Sequence, residues 1–220
     1  ISGKAPMAKY WMHGGFLTVQ GQKMGKSLGN FIVLQDLLKR CEPNYLRFFV
    51  VKNLWHSPVD YSESAMIEVK SAVNKVEEFL RKLKEQGAKS KAKNKNAKLI
   101  KTFKEDFYRE LDDDFNTPKA FAVMFDFIKN ANTLLDQNLL SKSEASDIYK
   151  FFQTINTIFG FINFKKVTAA IPATIKKLAK ERENYRKEKN WQKSDELRLQ
   201  IEKQGYTVED TPAGPVVKRM

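Results

Sequence analysis

The sequence holds a single cysteine, Cys41, in 220 residues. An internal disulfide is therefore excluded, and one free thiol fits a reducing cytosol, so a cytoplasmic location is expected. Histidine is nearly as scarce, with His13 and His56 alone. One Cys and two His cannot assemble an intrachain zinc site of the usual Cys/His kind. No apolar run approaches the roughly 18 residues of a membrane-crossing helix, so no membrane span is expected. The opening Ile1-Ser2-Gly3-Lys4-Ala5-Pro6 has neither an initiator methionine nor the apolar stretch of a signal peptide, and is expected to be an interior point of a longer chain. Internal repeats are not visible, and no Walker-type glycine spacing occurs.

What the chain has in excess is positive charge. Lys and Arg number 39 against 26 Asp and Glu, a net +13. Such an excess favours a polyanionic partner, because Lys and Arg release condensed counterions from a phosphate backbone. A basic membrane-surface protein is the competing reading. It needs a basic amphipathic helix with aromatic anchors, and no helix stands out as one. An apolar share of 42% with 30% charge suits helices with broad solvated faces.

Along the chain, Phe16, Leu17 and Val19 before a turn at Gln20-Gly21-Gln22 predict a strand or hairpin over 10–24. A polar, glycine-containing stretch follows, Lys23-Met24-Gly25-Lys26-Ser27-Leu28-Gly29-Asn30. Leu34, Leu37 and Leu38 then mark a short helix. Pro43 starts another, with Leu46, Phe49 and Val50 as its stripe, widened by Phe48 and Val51. From Ser62, the spacing of Met66, Val69, Val73, Val76, Leu80 and Leu83 predicts a long helix closed by Gly87 as C-cap. Residues 88–98 lack an apolar anchor and are expected to be a mobile basic loop. Leu99, Ile100, Phe103, Phe107 and Leu111 predict the next helix, ending at the acidic turn Asp112–Pro118. Asn116 or Thr117 caps its successor, whose inward residues are Phe121, Met124, Phe125, Ile128 and Leu135. Another spans roughly 143–160, with Ile148, Phe151, Phe152, Ile155 and Ile158 on one side. Four such helices favour an antiparallel bundle. Beyond a boundary near 165–171 comes a charged helix. Trp191, Leu197 and Ile201 are expected to begin a small separate core, closed by a hairpin of Tyr206–Val208 and Val216–Val217 around Pro212-Ala213-Gly214-Pro215.

Two lysines three apart on a glycine-containing loop suit stabilisation of charge building on a polyphosphate, with lysine as a mobile point charge. A basic surface turn after a hairpin fits the spacing as well. The segment Lys23–Ser27 resembles the class I aminoacyl-tRNA synthetase signature Lys-Met-Ser-Lys-Ser (the KMSKS-type loop), with Gly25 in place of the first serine. Its surroundings are similar to cysteinyl-tRNA synthetases in particular. Tyr10-Trp11-Met12-His13-Gly14-Gly15 leads in, and Ser27-Leu28-Gly29-Asn30-Phe31 follows. Leu46-Arg47-Phe48-Phe49, Asp60-Tyr61-Ser62-Glu63 and Asp112–Pro118 resemble further family stretches. So do Lys189-Asn190-Trp191-Gln192-Lys193-Ser194-Asp195-Glu196-Leu197-Arg198 and Gly205–Gly214, and the matches run in order from residue 10 to 214.

The resemblance implies ATP-dependent activation of L-cysteine to cysteinyl-adenylate, with Mg2+, and transfer of the cysteinyl group to tRNA(Cys). By motif position, Lys26 contacts ATP phosphates, Lys23 supports it, and Ser27 and Met24 lie at the nucleotide. Interactions of this kind favour the transition state over the ground state on a loop that closes over ATP. Loss of a hydroxyl at Gly25 makes loop closure less preorganised. The family's Zn2+, its His-Ile-Gly-His-like signature and its cysteine pocket lie outside this stretch, so these residues alone are expected not to charge tRNA. A monomer is expected.

Other candidates divide between two readings each. Asp112–Asp114 suit a hard cation, but we read them as turn and interhelix structure, since acidic residues favour a helix N-terminus in any case. His13 is structural or adjoins ATP. His56 packs or contacts a tRNA stem, and Cys41 is inert. Trp191, with Arg186, Lys189 and Arg198, stacks on an unpaired base, or Trp191 anchors the terminal core. Lysines 89, 91, 93, 95, 98, 101 and 104 lie along tRNA phosphates, or form a solvated face.

The expected fold is mainly α. Residues 1–58 form the end of a class I nucleotide-binding domain with the lysine loop, 59–166 an antiparallel helical bundle, and 167–220 a small α+β anticodon-recognition module. Two other functions are open to such a sequence. A cysteine-adenylating paralogue acting on an amino sugar needs no anticodon reader and no +13 charge. A stand-alone, non-catalytic RNA-binding module would be supported by tight tRNA binding with no catalytic half upstream, and the abrupt start at Ile1 is expected to reflect truncation instead.

Overall fold

The computed structural model describes residues 3, 8–87, 90–211 and 214–219, so Lys89, Pro212, Ala213 and most of the opening Ile1–Pro6 stretch lie outside the described residues. β1 (Leu17–Val19) runs antiparallel to β2 (Gln22–Lys23), with Thr18 opposite Lys23 and Val19 opposite Gln22. Gln20 and Gly21 take positive φ of 53° and 76°. A two-residue turn of that kind matches the twist of the strands it joins. β3 (Val59–Tyr61) pairs with the other edge of β1 in parallel. Parallel neighbours need a crossover, supplied by α1 (Leu34–Arg40) and α2 (Pro43–Val51).

The face of the second of these helices differs from expectation. On α1 Leu37 is buried while Leu34 and Leu38 are exposed. On α2 the buried face is Tyr45, Phe48 and Phe49, with Leu46 and Val51 half-buried and Val50 pointing outward. The helical repeat that governs the contact starts from Tyr45, whose ring outweighs Leu46 in apolar area.

The bundle comprises α3 (Glu63–Gly87), α4 (Ala97–Asp112), α5 (Thr117–Asp136) and α6 (Lys142–Phe159). Every apolar position expected on α3 is buried. Phenylalanines from all four helices meet at its centre. Phe103 stacks on Phe127 with centroids 3.9 Å apart, and Phe79 approaches Phe152 at 5.6 Å. Aromatic pairs of this kind contribute about 0.5–1.5 kcal/mol each beyond the area they bury. Asn116 is the N-cap of α5, its side chain accepting from the Lys119 N–H, with Pro118 in the first turn. Ile158, expected inward on α6, is exposed.

Two expectations about the α3–α4 connection are corrected. Gly87 does not cap α3 in a left-handed conformation. It is the last helical residue, and a Cβ there would lie 2.4 Å from the Ala145 side chain, so its smallness lets α6 approach α3. Within the 88–98 loop, residues 94–96 are tied down. The Glu144 carboxylate accepts the N–H groups of Lys95 (2.9 Å), Asn96 (2.6 Å) and Ser141 (2.8 Å), and Asn94 accepts from Ser141 and Ser143. A loop without apolar residues is held by a carboxylate almost fifty residues further along the chain. Burial works to raise the Glu144 carboxyl, but these donated hydrogen bonds outweigh it and hold it below its ordinary value.

After α6, the short α7 (Phe164–Thr168) is fastened to the bundle by Lys166. Its ammonium donates to the Tyr45 hydroxyl at 3.1 Å and lies 3.7 Å from the buried Glu77 carboxylate, which also accepts the Asn163 N–H. Burial pushes the Glu77 carboxyl up against the pull of those partners.

The last element group is α8 (Ala173–Lys187), α9 (Trp191–Lys203) and the antiparallel pair β4 (Tyr206–Thr211) and β5 (Gly214–Arg219). It has its own core of Ile175, Ala179, Ile201, Val208 and Val217, with Leu178 and Tyr206 packed around it. Trp191 takes no part in that core. It is 55% exposed, which corrects the expectation that it anchors the module, and Leu197 is only half-buried. A buried arginine paired with a half-exposed carboxylate stands in for the missing apolar bulk. Arg182, 1% exposed, donates to both carboxylate oxygens of Asp210 at 2.7 and 3.2 Å.

Candidate phosphate loop and nucleic-acid surface

The hairpin delivers Lys23 at the end of β2, and the chain then enters a loop that Asn30 holds in shape. Its side-chain oxygen accepts the Gly25 N–H at 2.9 Å, and its amide nitrogen donates to the Lys23 carbonyl at 3.3 Å. Between these anchors Lys26–Leu28 form one 3-10 turn, closed by Gly29 at φ 66°, a left-handed residue that glycine adopts without steric cost. Gly25 is extended at φ −159°, a conformation open to any residue.

Asp60 secures the other end of the hairpin by accepting from the Gly21 N–H at 2.8 Å and the Thr18 hydroxyl at 2.7 Å. The Gly21 N–H, and then the Thr18 hydroxyl, hold its carboxyl below the ordinary range. Asn30 and Asp60 stood in the motif stretches, but their roles as staples depend on contacts that spacing does not reveal.

Lys23 and Lys26 are both exposed. Among the described residues neither lies within ion-pair distance of a carboxylate. Each ammonium instead sits over an aromatic face, Lys23 at 4.4 Å from the Phe16 centroid and Lys26 at 5.6 Å from that of Phe31. Ser27 and Met24 flank them on the same loop. Two uncompensated cations on a small, stapled loop form an anion-receiving surface.

In the C-terminal element group, the α8–α9 corner brings Arg186, Lys189 and Trp191 together. Lys189 occupies the left-handed region at φ 58°, and Asn190 caps α9 by accepting from the Lys193 N–H. The Arg186 guanidinium lies over one face of Trp191 at 5.5 Å, and Arg186 is also 3.5 Å from Asp210, the partner of the buried Arg182. Arg198, further along α9, pairs with Glu202 at 3.1 Å.

The lysine run divides. Lys101 and Lys104 are neutralised by Glu105 and Asp147, whereas Lys91, Lys93, Lys95 and Lys98 have no carboxylate partner among the described residues. Sequence reasoning missed a second group. Lys84, Lys142 and Lys150, with Leu83 and Tyr149, line a groove of about 300 Å³ between α3 and α6, and they too lack an acidic partner among the described residues. Their spacing on two separate helices gives no signal until the helices are packed.

The acidic turn docks against the loop before β3. The Asp114 carbonyl accepts from Trp55 Nε1 at 3.1 Å, the Asp114 carboxylate is 3.8 Å from His56, and Asp113 is 3.6 Å from Lys119. Among the described residues no three His, Cys, Asp or Glu side chains gather as metal ligands. The described residues thus offer no ligand set for a zinc ion. Cys41 is half-buried, and burial pushes its thiol up, away from the reactive thiolate.

Three family models match successive parts of this chain. They are the tRNA synthetases class I (C) catalytic domain over residues 2–71, the DALR domain over 106–163, and the cysteinyl-tRNA ligase anticodon binding domain over 168–214. Among curated proteins, a cysteine–tRNA ligase of Chlamydia abortus is 33% identical over 97% of this chain and 45% of its own length. That of Chlamydia pneumoniae is 34% identical over 99% and 46%. That of Bacillus pumilus is 32% identical over 100% and 47%. The chain spans about half the length of the curated relatives it matches.

Proposed function

We propose that this chain, which falls in the cysteinyl-tRNA synthetase family as its C-terminal part, supplies the ATP-phosphate loop and the tRNA-binding surface of a cysteine–tRNA ligase. The reaction is ATP-dependent activation of L-cysteine to cysteinyl-adenylate, followed by transfer to tRNA(Cys). In it, Lys26 holds the ATP phosphates, Lys23 adds a second positive charge, and Met24 and Ser27 border the nucleotide. The observation that carries this reading is the pair of exposed lysines on an Asn30-stapled loop with no acid to neutralise them among the described residues. Charge that grows on a pyrophosphate leaving group is stabilised by such fixed cations more than the ground state is.

The RNA surface has two parts. At the α8–α9 corner an unpaired base stacks on the free face of Trp191, whose other face Arg186 covers, while Lys189 and Arg198 approach phosphates. On the bundle, the lysines of the 91–98 stretch and of the α3–α6 groove, without an acidic partner among the described residues, follow the backbone of the RNA. Exposure of Trp191 favours this stacking reading. A run of exposed apolar residues over 10–38, including Tyr10, Trp11, Met12 and Leu34, suits a catalytic portion that packs there in the intact enzyme. Zinc and the amino-acid pocket belong to that portion. The intact enzyme is proposed to be a cytoplasmic monomer.

Titration of the chain with tRNA(Cys) and an unrelated tRNA, at two salt concentrations, tests the RNA surface. A preference for tRNA(Cys) that survives higher salt supports recognition within this chain. Equal binding that vanishes with salt reduces the +13 charge to nonspecific attraction. Inorganic tripolyphosphate tests the loop. Binding to the wild type that K26M abolishes supports the role of Lys26, and tight tRNA binding with no polyphosphate binding favours a non-catalytic RNA module.

A further inference from the structure

The seats of the two loop lysines carry a further reading, which rests on the phosphate role proposed for them. Phe16 lies two residues before Thr18, the cross-strand partner of Lys23, so alternation puts Phe16 and Lys23 on one face of the hairpin. Phe31 follows the Asn30 staple, and its ring centroid lies 5.6 Å from the Lys26 ammonium at the start of the 3-10 turn. Both rings are largely solvent-exposed, 63% and 44%, so neither contributes much to a core.

Lysine side chains lose considerable rotamer entropy when fixed. A carboxylate partner would fix them but would also cancel the charge that a phosphate needs. An aromatic face attracts the ammonium through its quadrupole, carries no net charge, and leaves the ammonium hydrogens on the other side free to donate.

We propose that Phe16 and Phe31 are positioning residues for Lys23 and Lys26: neutral seats that restrict both side chains without neutralising them and remain in contact when a polyphosphate binds. The seats supply part of the order that a serine at position 25 would otherwise give the loop.

The test is NMR and calorimetry on this chain, with inorganic tripolyphosphate as the probe. In the wild type the Lys23 and Lys26 Hε protons are shifted upfield by the ring currents, and the shifts persist at saturation with tripolyphosphate. F31L removes the Lys26 shift and weakens tripolyphosphate binding roughly two- to fivefold, the range expected from an exposed cation–π contact. F16L does the same through Lys23, and F31Y keeps both shift and affinity. Because both rings are exposed, melting temperatures of all variants stay close to the wild type, which separates positioning from a merely structural role. Unshifted lysine protons in the wild type overturn the proposal, as does an F31L variant that binds as tightly as the wild type. If the phosphate reading itself is wrong, tripolyphosphate binds no variant while the ring shifts remain, and the positioning role falls with it.

Discussion

Two glycines four residues apart in the lysine loop should respond to substitution with opposite signs. Gly25 is extended at φ −159° and ψ 144°, and a Cβ there would meet only the Leu28 side chain and the Ser27 hydroxyl, each at 3.9 Å. A serine side chain therefore fits without strain. It removes conformational freedom from the open loop, which stabilises the closed form by about 0.4–1 kcal/mol. Gly29, at φ 66°, is left-handed, and a Cβ there costs about 1–2 kcal/mol. The readout is hydrogen exchange of the Leu28 amide, whose N–H donates to the Gly25 carbonyl at 3.2 Å. G25S should raise its protection roughly two- to fivefold, and G29A should lower it roughly five- to thirtyfold. Tripolyphosphate affinity should follow the same order. If both substitutions move protection in the same direction, or G25S leaves it unchanged, the loop is not held in the conformation from which these numbers come.

Replacing Trp191 by alanine should weaken tRNA binding by about 1–3 kcal/mol, the contribution of a stacked base, while shifting the melting temperature little. A collapse in thermal stability equal to the loss of binding would return Trp191 to a structural role. The triple variant K84A/K142A/K150A should reduce the slope of log K against log salt by about 2–3, near 0.7–0.9 for each phosphate no longer neutralised. Substituting the acid-paired Lys101 and Lys104 should change it less, and an unchanged slope in the triple variant removes the groove from the RNA surface. E144A strands three N–H donors and should cost roughly 2–4 kcal/mol in urea denaturation. The Glu144 carboxyl sits below its ordinary value in the fold. Its contribution is therefore full above the usual glutamate range and disappears as pH falls through the folded value. E144Q should flatten that acid limb, and an acid limb identical to the wild type would show that Glu144 does not bear it.

Much of the chain was legible from local pattern. The hairpin turn at Gln20-Gly21, the long helix over Met66–Leu83, the Asn116 cap and the terminal strand pair all follow from side-chain periods of two or about 3.6 and from residues that favour one backbone conformation. The lysine loop and the Trp191 corner also announced themselves in short stretches, because their members are neighbours in the chain. Periodicity named the wrong inward residue at Val50 and Ile158, where either side of a helix offered apolar atoms and only the partner could choose between them. Gly87 looked like a cap because a glycine at a helix end usually is one. Its actual reason, the approach of Ala145, belongs to another helix.

What the sequence by itself determined was therefore the set of elements, their order, and the positions of two charged or aromatic clusters. Tertiary structure decided which distant groups meet. Glu144 reaches back to the Lys95 and Asn96 amides, Glu77 receives the Asn163 N–H, Arg182 finds Asp210, and Lys84 comes to share a groove with Lys142 and Lys150. The reason is the range of the forces. Helix and turn preferences act within a few residues of the chain, whereas a buried carboxylate or an unpaired lysine acquires its character from the atoms that packing brings beside it.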